Sequence, residues 1–134
     1  MLHPAIGSNR FCGPAALASL LGISTDEAAQ QLRGVSGKRA IYGVRERYML
    51  LVLDQQGLAR PVPLTRRVRV IDWIEGESDG DYLVVVGNHY LTVAKDVGVC
   101  VVCDNTTVYP LLIHHSRQGR RFVKQAWRIE GNNP

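Results

Sequence analysis

The stretch that decides the fold is Phe11-Cys12-Gly13-Pro14-Ala15-Ala16-Leu17. Pro14 suits the first turn of a helix, because its missing N–H would be unpaired there in any case. Residues 15–21 are rich in strong helix formers, and Gly22 marks a helix end. Cys12 is therefore predicted at a helix N-terminus, where unpaired backbone N–H groups and the helix dipole favour the thiolate. The thiolate is a nucleophile, so this pattern is typical of a cysteine enzyme.

A nucleophilic cysteine needs a base, and the base usually needs a third group that orients it. The chain has four histidines. His89 stands out among them because it lies in residues 82–94, whose β-branched side chains predict strand structure. A second strand is predicted over Val99–Asp104, and residues 95–98, which end in glycine, predict a tight hairpin turn between the two strands.

The register of this hairpin decides which side chains meet. If Asp96 and Val97 form a two-residue loop, His89 and Asp104 are direct cross-strand neighbours, with Cβ atoms about 4.5–5.5 Å apart. A bulge at Gly98 would shift the pairing by one residue. A carboxylate beside an imidazole fixes its tautomer and stabilises the imidazolium. The pattern therefore predicts a histidine–aspartate pair, and contact with the cysteine requires the helix to dock against the end of the hairpin.

Three segments resemble the papain-like cysteine peptidases: Asn9-Arg-Phe-Cys-Gly-Pro-Ala-Ala-Leu-Ala18, Gly87-Asn-His-Tyr-Leu-Thr-Val93 and Val102-Cys-Asp-Asn105. In that family a Cys-Gly-Pro-like motif opens the central helix, a Gly-x-His-aromatic motif opens a strand, and an Asp or Asn lies on the next strand. The nearest relatives implied are the bacteriocin leader-processing peptidases and small phage or bacterial proteins of the same kind. The resemblance covers most of the chain if Trp127–Glu130 is the last strand.

This resemblance implies, residue by residue, that Cys12 is the nucleophile, His89 the base and Asp104 the orienting group. One departure concerns the oxyanion donor, since the family usually carries a Gln about six residues before the cysteine, where this chain has Ile6. Asn9 is the nearby upstream amide, and we expect it to act as a substitute donor together with the Cys12 backbone N–H. Losing one oxyanion donor lowers the turnover rate on the order of 10²–10³-fold.

Composition indicates one domain, residues 1–134, with 46% apolar and 21% charged residues and a net charge of +4. No segment approaches the roughly 20 apolar residues of a membrane span. The first residues lack the basic and apolar regions of a signal peptide, and three cysteines fit a reducing compartment. We therefore expect a cytoplasmic protein, and its small single-domain format resembles that of phage proteins.

Helices followed by antiparallel strands predict an α+β fold, with N-terminal helices packed on a sheet formed by the C-terminal half. Helices are predicted over 14–21, 24–33 and 44–56, and strands over 82–94, 99–104, 108–113 and 121–129. Residues 65–75 are ambiguous, because residues 67–70 alternate like a strand whereas Thr65 could cap a helix, and the resemblance favours the helix. Residues 58–64 contain two prolines and are predicted as an edge strand or a loop.

A zinc site is the alternative function for Cys100 and Cys103, which form a Cys-x-x-Cys, with His114 and His115 nearby. Side chains three residues apart on a strand face opposite sides, which opposes shared coordination. We interpret the two cysteines as buried strand residues and expect neither a metal nor an organic cofactor.

Basic residues cluster at Arg66–Arg69 and Arg117–Arg121. Such clusters can bind nucleic acids or acidic partners, and more often they form solvated faces. No aromatic residues interleave with them as in a base-stacking surface, so nucleic-acid binding is not favoured.

The sequence therefore favours a cysteine hydrolase, most simply a peptidase, that acts on a peptide or protein through a thioester. Deamidation, transglutamination and isopeptide cleavage share that step and stay open. The alternative from another class is a papain-like fold with a degraded active site that serves as a protein-binding or structural module. A nucleic-acid-binding domain is the third hypothesis, and its affinity would fall steeply with salt.

Overall fold

The computed structural model describes residues 1–131, so the last three residues of the predicted domain lie outside the described residues. The helices are α1 (Cys12–Leu21), α2 (Thr25–Ser36), α3 (Glu46–Asp54) and α4 (Val70–Glu75). The strands are β1 (Gly57–Pro61), β2 (Gly80–Val86), β3 (His89–Asp96), β4 (Val99–Cys103), β5 (Leu111–Leu112) and β6 (Gln125–Gly131). Two 3₁₀ turns, Ile113–His115 and Arg117–Arg120, lie between β5 and β6.

The strands described in residues 1–131 form one antiparallel sheet in the order β1-β6-β2-β3-β4-β5. Helices α1–α3 cover one face, where Leu17 and Met49 pack in one cluster with Leu83 of β2. Helix α4 covers the other face, where Ile74 packs in a second cluster with Val84. The predicted α+β class is confirmed. The sheet is not built from the C-terminal half alone, because the 58–64 segment contributes edge strand β1, which pairs with β6.

The helix boundaries follow local signals with two corrections. Gly22 ends α1 in the left-handed conformation (φ 72°), and the Ser24 side chain caps α2 by accepting from the Glu27 N–H. Helix α2 runs beyond the predicted end at residue 33 and stops at Gly37 (φ 69°). Helix α4 begins at residue 70 rather than 65, because residues 68 and 69 stay extended where the backbone hydrogen-bonds to residues 121 and 123.

The hairpin prediction needs two corrections. Residues 82–94 form two strands, β2 and β3, joined by a turn in which Gly87 has φ 58°. The β3–β4 loop is Val97-Gly98, because Asp96 pairs with Val99. The predicted register is therefore wrong by two residues, and His89 is not directly opposite Asp104. A two-residue shift preserves the face on which each side chain lies, so the two residues remain diagonal neighbours on one face.

Two predicted strands are shorter than expected. Only Leu111–Leu112 of the 108–113 segment pairs as a strand, directly after Pro110, which has no N–H to donate. The last strand begins at Gln125 instead of residue 121, because the preceding residues hydrogen-bond to the extended segment before α4.

Candidate active site

A cavity of about 340 Å³ opens beside Cys12, the first residue of α1. It lies at the end of the sheet where the β2–β3 turn meets the start of β6, and its walls include Val44, Asn88, His89 and Lys124. A larger cavity of about 690 Å³ lies at the opposite end of the β2–β3 hairpin. We place the candidate site at the smaller cavity, because that cavity holds both a potential nucleophile and a potential base.

Cys12 lies in an environment that favours the thiolate. Burial raises the pKa of its thiol, but the interaction of the sulfur with the His89 side chain and with the Tyr90 backbone N–H outweighs burial. The net effect lowers the pKa of Cys12 below its usual range. The N-terminus of α1 acts in the same direction, because its free N–H groups carry partial positive charge.

The pKa of His89 is shifted in the opposite direction. Attraction to Asp104, followed by the interaction with Cys12, raises the pKa of His89 to about 9, although burial alone would lower it. His89 Nε2 lies 3.8 Å from Asp104 Oδ2 and has no hydrogen-bond partner within residues 1–131. That separation is longer than a hydrogen bond, so the attraction is between charges, and such contacts are often loose in unliganded catalytic sites. The arrangement favours an imidazolium beside a thiolate.

Asp104 is held by donors on both carboxylate oxygens. Oδ1 accepts from the backbone N–H and hydroxyl of Thr106 at 2.9 and 2.7 Å, and from those of Thr107 at 3.1 and 3.3 Å. Oδ2 faces His89 and accepts from Gln118 Nε2 at 2.9 Å. Burial raises the pKa of Asp104, but His89 and the threonine donors hold it well below its usual range. The carboxylate therefore stays charged, and its orientation is fixed.

Gln118 is a site residue that sequence reasoning missed. Its Oε1 accepts from Arg121 Nη1 at 3.4 Å, and Arg121 Nη2 donates to the Val86 carbonyl at 3.3 Å. A Cβ at Gly87 would lie 2.9 Å from that guanidinium, so the glycine allows it to lie against the turn that leads into His89. The only sequence signal near Gln118 is the arginine cluster around it.

Thr92 connects the elements that carry the candidate residues. Its hydroxyl is fully buried and lies 3.1 Å from Ser19 Oγ on α1 and 3.2 Å from the Cys103 carbonyl on β4. Helix α1 begins with Cys12, β3 begins with His89, and Asp104 directly follows β4. One hydroxyl therefore touches all three elements.

The predicted oxyanion donor, Asn9, lies just before α1. Its Oδ1 accepts from the Phe11 N–H at 3.1 Å, which fixes the turn into the helix. Asn9 is not among the residues that line the cavity, whereas Asn88 is. Ile6 is 56% exposed, and its carbonyl accepts from the Thr25 N–H.

The zinc alternative finds no support in the geometry. Cys103 is buried on the α1–α3 face of the sheet, and Cys100 packs on the opposite face, as the strand argument predicts. Cys100 is only half-buried, so the expected burial of both cysteines is wrong for this one. His114 and His115 are exposed in the first 3₁₀ turn. Across residues 1–131, no group of three His, Cys, Asp or Glu side chains is placed to hold a metal ion.

No protein-family model matches the sequence, and no curated protein is significantly similar to it. Among solved structures, the chain is similar to a double glycine motif protease from an AMS/PCAT transporter, which was solved in complex with the leader peptide. The identity is 13% and the TM-score is 0.62, over 98% of this chain and 93% of that one. At this identity the likeness shows a shared fold alone.

Within residues 1–131, no helix has both the length and the apolar character that crossing a bilayer requires.

Proposed function

We propose that the protein is a cysteine hydrolase, most simply a peptidase. In this mechanism the Cys12 thiolate attacks a peptide carbonyl carbon and forms a tetrahedral oxyanion. The oxyanion collapses to a thioester as the His89 imidazolium protonates the departing amine. His89 then takes a proton from water, which attacks the thioester and releases the acid and the thiolate. Asp104 holds the imidazole in its tautomer and orientation throughout.

One observation carries this proposal: Cys12 and His89 line the same cavity, and His89 Nε2 lies 3.8 Å from the buried carboxylate of Asp104. The pKa shifts agree with this arrangement. The pKa of the cysteine is lowered, that of the histidine is raised to about 9, and that of the aspartate is lowered. Structural ion pairs also shift pKa values, but here the thiol begins a helix and lines a cavity. A peptide substrate is proposed because the neighbour of the same fold was solved with a peptide.

Oxyanion stabilisation is proposed to come from the Cys12 backbone N–H together with an amide. Asn9 is the donor expected from the sequence, and Asn88 is the asparagine among the residues that line the cavity. Asn9→Ala and Asn88→Ala distinguish them, because loss of the working donor slows turnover by on the order of 10²-fold. Hydrolysis of p-nitrophenyl acetate measures this.

The test of the nucleophile is alkylation by iodoacetamide at neutral pH, with the modified residue located by peptide mass mapping. We expect Cys12 to react faster than a free thiol, and His89→Ala to slow it about tenfold or more. His114→Ala is the matched control, since it removes an exposed imidazole elsewhere and should leave the rate unchanged. Equal rates in wild type and His89→Ala would show that the pair does not activate the thiol.

The second candidate function is a binding module with a degraded active site, and Ile6 in place of the family glutamine favours it. A peptide vinyl sulfone distinguishes the two functions, because it requires an activated thiol and a working cleft. Covalent attachment at Cys12 supports the hydrolase. Tight peptide binding without attachment supports the binding module.

A further inference from the structure

Two arginine clusters that lie far apart in the sequence meet beside the candidate site. The extended segment before α4 runs along the segment before β6, where Arg69 pairs with Phe122 and the Val123 N–H donates to the Val68 carbonyl at 2.9 Å. The residues of these segments and of the second 3₁₀ turn form what we call the basic surface: Arg66, Arg67, Arg69, Arg117, Arg120 and Lys124.

The basic surface is available to a partner. All six of its side chains are exposed, and none forms an ion pair within residues 1–131. Asp72 and Glu77, which line a shallow cavity together with Arg66, form no ion pair with these cations in residues 1–131. A concentration of unpaired positive charge on one surface attracts anions and raises their local concentration.

The basic surface is continuous with the candidate active site. Lys124 forms part of the wall of the cavity beside Cys12 and His89. The adjoining Arg121 lies against the β2–β3 turn that borders the same cavity. A chain bound at Cys12 that leaves the cavity past Lys124 therefore crosses the basic surface.

The aromatic residue of this surface favours a peptide over a single-stranded nucleic acid. The Arg67 guanidinium lies 3.5 Å and that of Arg69 5.1 Å from the centroid of the Phe122 ring. A nucleic-acid base would have to displace these guanidinium groups to stack on the ring, whereas a carboxylate would not. Stacked guanidinium groups still present their N–H edges, which match a carboxylate in a bidentate manner.

We propose that the basic surface binds an acidic segment of the peptide substrate, next to the scissile bond held at Cys12. This inference rests on the proposed function, because it assigns the substrate class of the same site. Glutamate or aspartate side chains of the substrate pair with the exposed arginines, and Lys124, which lines the cavity, pairs with a carboxylate near the reacting bond.

The test measures binding of a fluorescein-labelled peptide of alternating glutamate and serine by fluorescence anisotropy, with a glutamine–serine peptide of equal length as the uncharged probe. Arg66→Gln/Arg120→Gln removes one charge from each cluster, at side chains without hydrogen bonds in the structure. Lys38→Gln/Arg39→Gln removes two charges from the loop after α2, on the other side of the sheet. We expect the first variant to weaken binding of the acidic peptide about fivefold and the second to leave it unchanged. Raising the salt from about 50 to 300 mM should also weaken binding.

Three results would overturn the inference: equal affinity for the two peptides, equal weakening by the two variants, or tighter binding of a short RNA or DNA duplex than of the acidic peptide. Alkylation of Cys12 in the same samples separates this inference from the proposed function. His89-dependent alkylation without acidic-peptide binding refutes the basic surface alone. Binding without His89-dependent alkylation refutes the substrate role and the hydrolase together.

Discussion

Replacing Asp104 with asparagine removes one charge from the candidate site at nearly constant volume. The asparagine Oδ1 can still accept from Thr106 and Thr107, and a flip of the Gln118 amide lets its oxygen accept from the new Nδ2. The flip gives up only the long 3.4 Å hydrogen bond from Arg121, whose guanidinium is exposed and can bind water instead. The fold should therefore survive. The attraction that raises the pKa of His89 to about 9 is lost, so we expect this pKa to fall.

The size of the expected fall in the pKa of His89 follows from the separation of the His89 and Asp104 side chains. Two unit charges 3.8 Å apart attract by about 4 kcal/mol at an effective dielectric constant of about 20. The His89 side chain is 21% exposed, so we halve this figure for solvent screening, to about 2 kcal/mol. That corresponds to about a 30-fold change in the protonation equilibrium of the imidazole.

The assay is NMR titration of the histidine imidazole signals, with His89 assigned through His89→Ala, together with the pH dependence of Cys12 alkylation. In Asp104→Asn the imidazole should lose its proton at clearly lower pH, and alkylation near neutral pH should slow because less imidazolium faces the thiolate. Asp72→Asn, an exposed change on α4, controls for net charge. If His89 in Asp104→Asn still titrates near 9, Asp104 is not the source of the raised pKa.

Three further predictions concern the same site. Gln118→Leu removes a charge-assisted hydrogen bond to Asp104, which is partly replaced by water, so p-nitrophenyl acetate hydrolysis should fall about tenfold. The resemblance to the papain-like peptidases predicts that Ile6→Gln supplies a missing oxyanion donor, so hydrolysis of the same ester should rise tenfold or more, and the exposed side chain makes the change tolerable. Protonated His89 stabilises the fold fully below about pH 6.5, and this contribution is lost as pH rises through about 9. The decrease in the free energy of unfolding caused by His89→Ala, measured with urea, should therefore become smaller over that pH range.

Matched variants test these three predictions. Gln30→Leu, at an exposed position on α2, should leave hydrolysis unchanged. Ile6→Ala lacks an amide and should not raise the rate, so a rise in both Ile6 variants would contradict the oxyanion argument. If His89→Ala lowers the free energy of unfolding by the same amount at every pH, protonation of His89 is not coupled to folding. His115→Ala should change the free energy of unfolding little at any pH, because that imidazole is exposed.

Local signals allowed the helical side of the fold and the position of Cys12 to be predicted. Gly22 ends α1 and Ser24 caps α2, and each acts on backbone groups within four residues of itself. The edge strand β1 could also be predicted, because prolines are tolerated at a sheet edge. The pairing of β1 with β6 could not be predicted, since it joins segments about seventy residues apart.

The hairpin register could not be predicted, because the turn places a valine in a backbone conformation that β-branched residues rarely adopt. Val97 adopts φ 48°, a conformation that β-branched residues rarely enter, and Gly98 follows it at φ 81°. Sequence preference therefore favoured the loop one residue too early on each strand. The contact between His89 and Asp104 survived that error because the shift was even.

The support of Asp104 by Gln118 could not be predicted either. It depends on a long connection between β5 and β6 that folds back through two 3₁₀ turns onto the sheet. Gly119, which is buried against Ile113, allows that close return. No periodicity in the sequence encodes such a contact.

The buried hydroxyl of Thr92 has a consequence for how this protein tolerates change. Because it touches α1, β3 and β4 at once, the mutual alignment of thiol, imidazole and carboxylate originates in the interior of the protein. Thr92→Val, which keeps the shape and removes the hydroxyl, would disturb reactivity from a position that no substrate reaches. Substitutions in the loops that border the cavity should, in contrast, leave these two buried hydrogen bonds in place.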